Sequence, residues 1–426
     1  MAIATRYFQP AAATWVTATA YAVGDYVLGT DNKNWRCTTA HTSAAADRPI
    51  TGANYATYWE ECDGTTWDKR AALFAGGAWS AVITAFNFTS GSDSLYCLIE
   101  GNKTYTITAG LTTGTFTSGA PTVAKPIVFA ACDSSGNALQ PPDGNWTSDQ
   151  PVFDTSGLPT LSTTTNIIVF NLSTSTTICY LLKFTATGNT TNSVVQGATL
   201  DWCYVTCASS NTSLGVLPAA TIVSNSVVEA TGTSYASVCN SDRQYNVRVI
   251  GNASATGGNR NGYAGNSATI NIVKCTFINH VGSGIASAST STSFQSNIDT
   301  CMIHGCGTGI KQPSTASQTI LSRIQNCYIA GSTTAGIDLQ SANNSWIGYN
   351  RLRDNGTSGN FTGTGNWPTT ENSLNYTTDS DDASELVNVA GGDYRIKNTA
   401  TIWGKGFGVS EEPAASSAGG SFAFIG

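Results

Sequence analysis

Charged side chains are scarce in this sequence. They make up 11% of its 426 residues, and the formal net charge is −7. So low a charged fraction is unusual for a cytosolic enzyme. An acidic chain without a cluster of Lys and Arg also argues against nucleic acid as a partner. The abundant Gly, Ser, Thr and Asn instead suit an extended β-protein whose surface carries hydroxyl and amide groups.

Long apolar runs are lacking as well. The sequence has no stretch of about 18 apolar residues, which is the length that a membrane-spanning helix needs. Its first ten residues lack the apolar segment of a secretory signal. We therefore expect a protein that is made in the cytoplasm and has no membrane partner.

Metal-ligating residues are few or wrongly spaced. The chain has three histidines, His41, His280 and His304. The pairs Cys203/Cys207 and Cys301/Cys306 do not have the spacing of a zinc site. We expect no metal and no cofactor. Because disulfides are rare in proteins assembled in a reducing cytosol, we also expect the twelve cysteines to be free thiols.

What the sequence does have is a repeat in its second half. Cys275, Cys301 and Cys327 follow one another at intervals of 26 residues, and Asn350 takes the same place in a copy 23 residues later. A fixed period of 20–30 residues marks a solenoid, in which each repeat is one coil. We expect these four side chains to stack as a ladder of small packing residues at an interior bend.

The residues between these landmarks predict strands. Short alternating runs of Val and Ile are separated by Ser, Thr, Asn and Gly, and no stretch has sustained helical periodicity. A coil of three short strands and three bends, at about 3.3 Å per residue, needs roughly two dozen residues. The period therefore matches a parallel β-coil.

A second landmark recurs with nearly the same period, in the dipeptides Gly284-Ile285, Gly309-Ile310 and Gly336-Ile337. Together the two landmarks resemble the right-handed parallel β-helix of the pectate-lyase-like superfamily, whose repeats have the form N-x-I-x-x-N-x-x-G-I. The resemblance implies an all-β chain in which residues 96–410 form the β-helix, preceded by a small β-sheet module. It says little about activity, because many unrelated functions use this solenoid.

Residues 1–64 are dense in aromatic side chains, and Gly24-Asp25 predicts a turn between two short strands. Their pattern, W…Y-x-x-G-D-x-V…W-x-C…H…W, resembles the small chitin-binding-type carbohydrate-binding module. That family stacks exposed aromatic rings on sugars. The resemblance implies glycan contacts for Trp15, Tyr21, Trp35 and Trp59. The alternative is that these rings form the core of a module too small to have another.

Two further segments complete the expected organisation. Residues 65–95 would link the module to the β-helix and cap its open end, where strand edges and core are exposed. Residues 411–426 form a tail rich in Ser, Gly and Ala that ends in apolar residues. Because apolar side chains on a tail rarely stay in water, we expect this tail to dock on a neighbouring subunit.

A polysaccharide-cleaving β-helix would need two carboxylates roughly 5–10 Å apart. Asp201 and Asp299 share one position of the repeat, but several coils separate them, and no two acids share a position on adjacent recognisable coils. If the chain is an enzyme, the candidates are Asp299, His304, Asp338 and Asp354. The alternative for His304 is a surface histidine at a bend. The scarcity of paired acids favours a structural protein over an enzyme.

An acidic, low-charge β-helix with a sugar-module-like head resembles virion proteins of tailed bacteriophages. That resemblance implies a non-enzymatic protein of the virion surface, either a capsid decoration (cement) protein or a fibre. The expected partners are further copies of the chain in a homotrimer, the major capsid protein, and host surface glycans. The alternatives are a tailspike depolymerase that cuts host polysaccharide and a secreted carbohydrate-binding protein.

Overall fold

The chain is built almost entirely from short β-strands in this computed structural model. The structure describes residues 4–73, 78–88, 94–108, 110–112, 116, 119–141, 154–171, 176–188, 193–208, 215–217, 222–265, 267–287, 293–313, 319–340, 346–362, 382–390, 393–400 and 407–408. The chain divides into two compact units. The described residues of the first lie within 1–145, 154–241 and 250–260, and those of the second lie within 242–249 and 261–408.

The first unit contains the following elements in chain order. Its strands are β1 (Ala4–Gln9), β2 (Ala20–Tyr21), β3 (Tyr26–Leu28), β4 (Asn34–Cys37), β5 (His41–Thr42), β6 (Trp59–Glu61), β7 (Ala71–Ala72), β8 (Leu95–Glu100), β9 (Thr104–Thr106), β10 (Leu111–Thr112), β11 (Ile127–Cys132), β12 (Thr160–Thr163), β13 (Phe170–Asn171), β14 (Thr177–Tyr180), β15 (Lys183–Ala186), β16 (Val195–Gln196), β17 (Thr199–Asp201), β18 (Tyr204–Cys207), β19 (Gly215–Leu217), β20 (Ile222–Ser224), β21 (Val227–Ala230) and β22 (Ser237–Cys239). Its helices are α1 (Tyr55–Tyr58) and α2 (Ala78–Thr84), with 3-10 turns at Ala45–Asp47 and Trp67–Lys69.

Strand order shows how the first unit is wound. One parallel sheet has the order β20-β17-β14-β11-β8-β1-β7, and a second has the order β21-β18-β15-β12-β9. Smaller sets, β10-β13-β16 and β19-β22, form the third side. From β8 onward, neighbouring strands within each of these sets lie three places apart in the chain. Every coil therefore contributes three strands, one to each sheet.

The second unit continues with the same kind of elements. Its strands are β23 (Arg243–Tyr245), β24 (Arg248–Ile250), β25 (Tyr263–Gly265), β26 (Thr269–Val273), β27 (Thr276–Ile278), β28 (Ser283–Ser287), β29 (Ser293–Asp299), β30 (Met302–His304), β31 (Thr308–Lys311), β32 (Thr319–Gln325), β33 (Tyr328–Ala330), β34 (Ala335–Asp338), β35 (Trp346–Gly348), β36 (Arg351–Arg353), β37 (Phe361–Thr362), β38 (Leu386–Asn388) and β39 (Asp393–Ile396). A short helix, α3 (Asp382–Glu385), precedes β38.

Three parallel sheets form the walls of the second unit. We call them sheet A (β35-β32-β29-β26-β23), sheet B (β36-β33-β30-β27-β24) and sheet C (β25-β28-β31-β34-β37). The chain visits A, B and C in turn and then starts the next coil. The predicted fold class, a parallel β-helix, is thus confirmed.

Buried apolar side chains fill the interior of these coils in columns. The strand registers align Ile272, Ile298, Ile324 and Ile347 in sheet A, Phe277, Ile303, Ile329 and Leu352 in sheet B, and Ile285, Ile310 and Ile337 in sheet C. Each such side chain contributes about 1.5–3 kcal/mol when it is fully buried. Alternation along each strand points every second side chain inward, so the core repeats once per coil.

The four repeat residues of the sequence lie at the turn between sheets A and B. The registers on both sides place Cys275, Cys301, Cys327 and Asn350 at equivalent points of successive coils, and all four are buried. The Asn350 Oδ1 atom accepts a hydrogen bond from the Cys327 backbone N–H at 2.9 Å, and Asn350 Nδ2 donates to the Ile324 carbonyl at 3.0 Å. The amide thus satisfies two backbone groups of the neighbouring coil.

The residue before each ladder position adopts a left-handed backbone conformation. These residues are Lys274, Thr300, Asn326 and Tyr349, with φ between 53° and 57°. This conformation costs roughly 1–2 kcal/mol for most residues, whereas Asn adopts it readily. The Thr300 backbone N–H donates to the Gln325 carbonyl at 3.1 Å, so pairing with the next coil compensates for the cost.

A second ladder, which the sequence reasoning missed, lies at the turn between sheets B and C. The left-handed residues there are Asn279, Gly305, Gly331 and Asp354, and they are followed by His280, Cys306, Ser332 and Asn355. Asn355 Oδ1 accepts from the Ser332 backbone N–H and its Nδ2 donates to the Ile329 carbonyl, both at 3.1 Å. Asn355 therefore repeats, one turn later, the arrangement that Asn350 makes.

The first unit closes its end with residues from outside the repeats. Strand β1, which falls in the predicted 1–64 module, pairs with both β8 and β7 in the parallel sheet. In α2 the buried Trp79 ring lies 6.0 Å from Phe129 and 6.2 Å from Phe170. The helix therefore packs against apolar interior of the first coils, and the capping role of residues 65–95 stays a prediction.

The C-terminal tail, residues 411–426, lies outside the described residues. Its docking on a neighbouring subunit therefore stays a prediction. Within the described part of the chain, no helix has the length and apolar character required to cross a membrane.

The left-handed turn gives a first prediction. Replacing Thr300 by Asn should raise the free energy of unfolding by about 0.5–1 kcal/mol, because a β-branched residue is strained at positive φ and Asn is not. The reciprocal change Asn326→Thr should lower it by about 1–2 kcal/mol. Chemical denaturation of both variants measures this difference. Shifts of the same sign in the two variants would contradict the assignment of strain to this position.

Candidate functional site

Asp299, the first catalytic candidate, lies at the end of β29 and contacts the next coil. Its carboxylate accepts hydrogen bonds from Thr300 Oγ1 at 3.0 Å, Gln325 Nε2 at 2.8 Å and Asn326 Nδ2 at 2.9 Å. Two of these three donors belong to the following coil. The carboxylate therefore joins neighbouring coils at the turn between sheets A and B.

Asp201 has the same position and the same kind of partners in the first unit. Its Oδ1 atom accepts from Ser224 Oγ at 2.8 Å and from Asn225 Nδ2 at 2.9 Å. Asn225 is the left-handed residue of its turn, as Asn326 is in the second unit. The repetition indicates a structural motif, in which an acid on one coil holds the Asn of the next.

His304 lies on β30 and is buried, so the expectation of a surface histidine is wrong. Its ring centroid is 5.0 Å from that of Tyr394. Burial, reinforced by the positive charge of Arg353, lowers the pKa of His304 to about 4. The imidazole is therefore neutral at pH 7, and with such a pKa it would be a weak general base.

The other two candidates lie elsewhere. Asp338 is on β34 in sheet C, where its carboxylate accepts a hydrogen bond from Gln340. Asp354 follows sheet B, in the left-handed turn, and forms an ion pair with Arg353. Asp299 and Asp338 thus belong to different sheets, while His304 and Asp354 both interact with Arg353. The four candidate residues therefore do not surround one common centre.

A buried ion cluster is the most unusual polar feature of the described residues. We call Tyr328, Arg351, Arg353 and Glu385 the Arg–Glu cluster. Arg351 Nη2 lies 2.7 Å from Glu385 Oε1, and Arg353 Nε lies 3.1 Å from Glu385 Oε2. Arg353 Nε also donates to the Tyr328 hydroxyl at 2.6 Å, and that hydroxyl donates to Glu385 Oε2 at 2.8 Å. The exposure of all three charged side chains is below 5%.

This cluster fastens the segment after the last coil to sheet B. Burial raises the pKa of the Tyr328 phenol, so its hydroxyl keeps the proton that it donates. Glu385 ends α3, and Tyr328 and the two arginines are on β33 and β36. The Glu385 carboxylate is thus enclosed by two guanidinium groups and one phenol. The sequence signal is the pair Arg351 and Arg353, at positions where the preceding coils carry Thr, Met or Tyr and Ile, His or Ala.

Thiol reactivity is suppressed at several buried cysteines. All twelve cysteines are free and buried, as the sequence predicts. Burial raises the pKa of Cys203 and of Cys306 to about 12, so both remain protonated at neutral pH. Protonated thiols are poor nucleophiles and poor metal ligands. Among the described residues, no three His, Cys, Asp or Glu side chains are arranged to hold a metal ion.

The aromatic residues of the N-terminal module divide into two groups. Strands β3, β4 and β6 form an antiparallel sheet whose core is Val27, Trp35, Cys37 and Trp59. Trp35 is 6% exposed and Trp59 is 2% exposed. A ring without accessible faces cannot stack on a sugar. Trp35 and Trp59 therefore belong to the core of the module, which was the alternative to glycan contact for these residues.

Trp15 and Tyr21 are half-buried and pack against that core from outside. The guanidinium carbon of Arg48 lies 5.8 Å from the Trp15 ring centroid. The Tyr21 hydroxyl accepts the Val16 backbone N–H at 3.0 Å, which fixes its ring. Both rings keep accessible surface, and glycan binding by them stays a prediction.

No known protein family, curated protein or solved structure matches this chain. The likeness to phage virion proteins and to a chitin-binding module therefore stays a prediction from sequence, and the geometry of the described residues is the basis for any functional proposal.

The Arg–Glu cluster supplies a second prediction. Replacing Glu385 by Gln removes the buried counter-charge that Arg351 and Arg353 share, so the free energy of unfolding should fall by about 3–5 kcal/mol. The matched control is Asp354→Asn, which removes a partly exposed partner of Arg353 and should cost less than about 1 kcal/mol. Chemical denaturation and hydrogen exchange of residues 382–396 report both. Equal losses in the two variants would contradict a central role for Glu385.

The lowered pKa of His304 supplies a third prediction. An unfolded chain protonates this residue near pH 6.5, whereas the folded chain does so near pH 4. The stability linked to neutral His304 is therefore complete above pH 6.5 and is lost as the pH falls towards 4. Across that window, His304→Gln should lose less stability per pH unit than the wild-type chain.

An NMR titration of the imidazole gives the independent control. The His304 resonances should remain those of the neutral ring down to about pH 4. A midpoint near the ordinary histidine value of about 6.5 would show that the side chain is solvated in the folded protein and would overturn the assignment.

Proposed function

We propose that this chain is a structural protein of a bacteriophage virion surface, either a capsid decoration (cement) protein or a fibre. The observation that carries the structural part is the use of Asp201 and Asp299. Both carboxylates accept hydrogen bonds from the next coil, so the acids that a glycosidase would need serve to join coils. A rigid scaffold fits this arrangement better than a catalytic groove does.

The virion part of the proposal has more indirect support. A surface protein of a particle must resist unfolding without disulfides, and here every thiol is free while each coil pairs along its length with its neighbours. A low charged fraction with a net charge of −7 suits a hydroxyl- and amide-rich exterior. In this proposal the chain forms a homotrimer that contacts the major capsid protein and is exposed on the outside of the particle.

Host-glycan adhesion is the second role that we propose. It is supported by Trp15 and Tyr21, the two module aromatics among the four candidates that retain accessible surface. A ring fixed by its neighbours loses little conformational entropy when a sugar stacks on it. Adhesion would be compatible with the scaffold role, because the module and the coils use different residues.

The experiment must separate a scaffold from a depolymerase. The purified full chain should sediment at three times its 44.3 kDa chain mass. An antibody against it should label intact particles from cultures that encode it. Incubation with bacterial capsule and exopolysaccharide preparations should release no oligosaccharide. A released oligosaccharide that disappears in the Asp299→Asn or His304→Gln variant would replace the structural proposal with a tailspike depolymerase.

Monomeric protein that is absent from particles but enriched in culture medium would instead favour the secreted carbohydrate-binding alternative. Loss of glycan capture in Trp15→Ala, with capture retained in a variant of an exposed residue outside the module such as Lys311→Ala, would identify the module as the adhesive part.

A further inference from the structure

A cavity of about 270 Å³ lies in the first unit, where the β-helix begins. Separate parts of the chain line it: Arg6 on β1, residues at and just after the end of β6, the strand β7, and the helix α2. Its volume is close to that of the smallest small-molecule sites, which begin at about 300 Å³. The scaffold role proposed above does not use this space.

Small uncharged side chains form much of the cavity wall. Ala71 and Ala72 on β7 are buried, and Cys62 is 2% exposed. Burial raises the pKa of the Cys62 thiol to about 12, so this group is neutral at pH 7. Helix α2 contributes Ala81 and Val82. A wall of this kind suits the apolar part of a ligand.

Arg6 places a cation in the same wall, on the inward face of its strand. Register sets it opposite Cys97, and Phe8 lies on the same face of β1, two residues later. Both of these neighbours are fully buried, and Arg6 is itself half-buried. A guanidinium group beside apolar surface loses contacts with water, so an anion close to it is favoured.

Arg6 has few partners of its own. Its Nη1 atom donates to the Thr5 carbonyl at 3.0 Å. Among the residues that the structure describes, no carboxylate forms an ion pair with it. Its other N–H groups are therefore available to a ligand.

The remaining charged groups of the cavity already have partners. Lys33 Nζ lies 2.5 Å from Glu61 Oε1, and this pair adds no net charge. Asp63 Oδ1 accepts hydrogen bonds from the Thr65 backbone N–H at 2.9 Å and from Thr65 Oγ1 at 2.7 Å. Asp63 is also exposed, so water weakens its field. Arg6 is therefore the charged group that a ligand can still compensate.

We propose that this cavity binds a small carboxylate with an apolar body, of about the size of an arylacetate. Arg6 pairs with the carboxylate through two parallel N–H donors, and the side chains of Ala71, Ala81 and Val82 contact the apolar body. A sugar is a poorer occupant, because the described lining has no aromatic ring on which it could stack. The site shares no residue with the glycan contacts proposed for Trp15 and Tyr21, and it does not rest on the virion proposal.

Isothermal titration of the full chain with phenylacetate tests this proposal, with phenylacetamide and acetate as comparisons. Phenylacetamide keeps the shape and loses the charge, whereas acetate keeps the charge and loses the apolar body. Each should bind at least about tenfold more weakly than phenylacetate. Because phenylacetate binds the folded chain, about ten times its Kd should also raise the melting temperature by about 1–3 °C.

Three variants locate the binding site. Arg6→Gln should lower the affinity for phenylacetate at least about tenfold and bring it to that for phenylacetamide. Arg36→Gln is the matched control, because Arg36 pairs with Glu60 at 2.9 Å and does not line the cavity, and it should leave binding unchanged. Ala81→Leu fills the cavity from a helix position that accepts Leu, and it should block both aromatic ligands. Melting without ligand checks the fold of each variant.

Several outcomes would overturn the proposal. Phenylacetamide that binds as tightly as phenylacetate would show that the charge is not recognised. An affinity that Ala81→Leu or a folded Arg6→Gln variant leaves unchanged would place binding elsewhere, as would an equal loss in Arg36→Gln. Absence of both heat and a melting shift at phenylacetate concentrations up to about 10 mM would exclude the site. None of these results depends on the trimer and particle experiments.

Discussion

The stacking of one coil on the next requires the buried backbone groups at each turn to find hydrogen-bond partners. Backbone pairing between coils meets part of this need, as the Thr300 N–H and the Gln325 carbonyl show, and side chains supply the rest. Asn350 and Asn355 each accept one backbone N–H and donate to one carbonyl of the preceding coil. In the coils before Asn350, the Cys301 and Cys327 thiols donate to the Ile272 and Ile298 carbonyls of the preceding coil, at 3.5 and 3.7 Å. An unpaired buried amide would cost about 1–3 kcal/mol, so small polar residues are favoured in these columns.

The same requirement explains what the acids do. A carboxylate at the end of a sheet A strand stands next to the left-handed Asn of the following coil, and the equivalent pair in the first unit has the same 2.9 Å separation. An isolated acid in a low-charge sequence of this kind therefore indicates a hydrogen-bonded turn more readily than a catalytic residue. The last coil differs from the others. Among the described strands, none in sheet B follows β36, which carries Arg351 and Arg353. Glu385, from beyond the repeats, supplies the acceptor there.

The sequence predicted the fold because one ladder repeats the same residue. Cys275, Cys301 and Cys327 are identical, so their period can be read directly. The second ladder, which contains His280 and Asn355, has the same period, but its members share only small size or hydrogen-bonding capacity and were missed. The burial of His304 could not be predicted either, because it depends on Tyr394, which is distant in sequence. Sugar contacts were predicted for four aromatic rings, but whether a ring is core or surface depends on three-dimensional packing, and Trp35 and Trp59 are core.

Because the interior of a coil is fixed by its neighbours, new function has room only on the outside. An inward residue of sheet A contacts the equivalent residue above and below, so a change there disturbs three coils. An outward residue such as Asn297 or Arg323 contacts its neighbours along the surface rows. Substitutions on the outward rows can therefore leave undisturbed the ladders that hold the coils together.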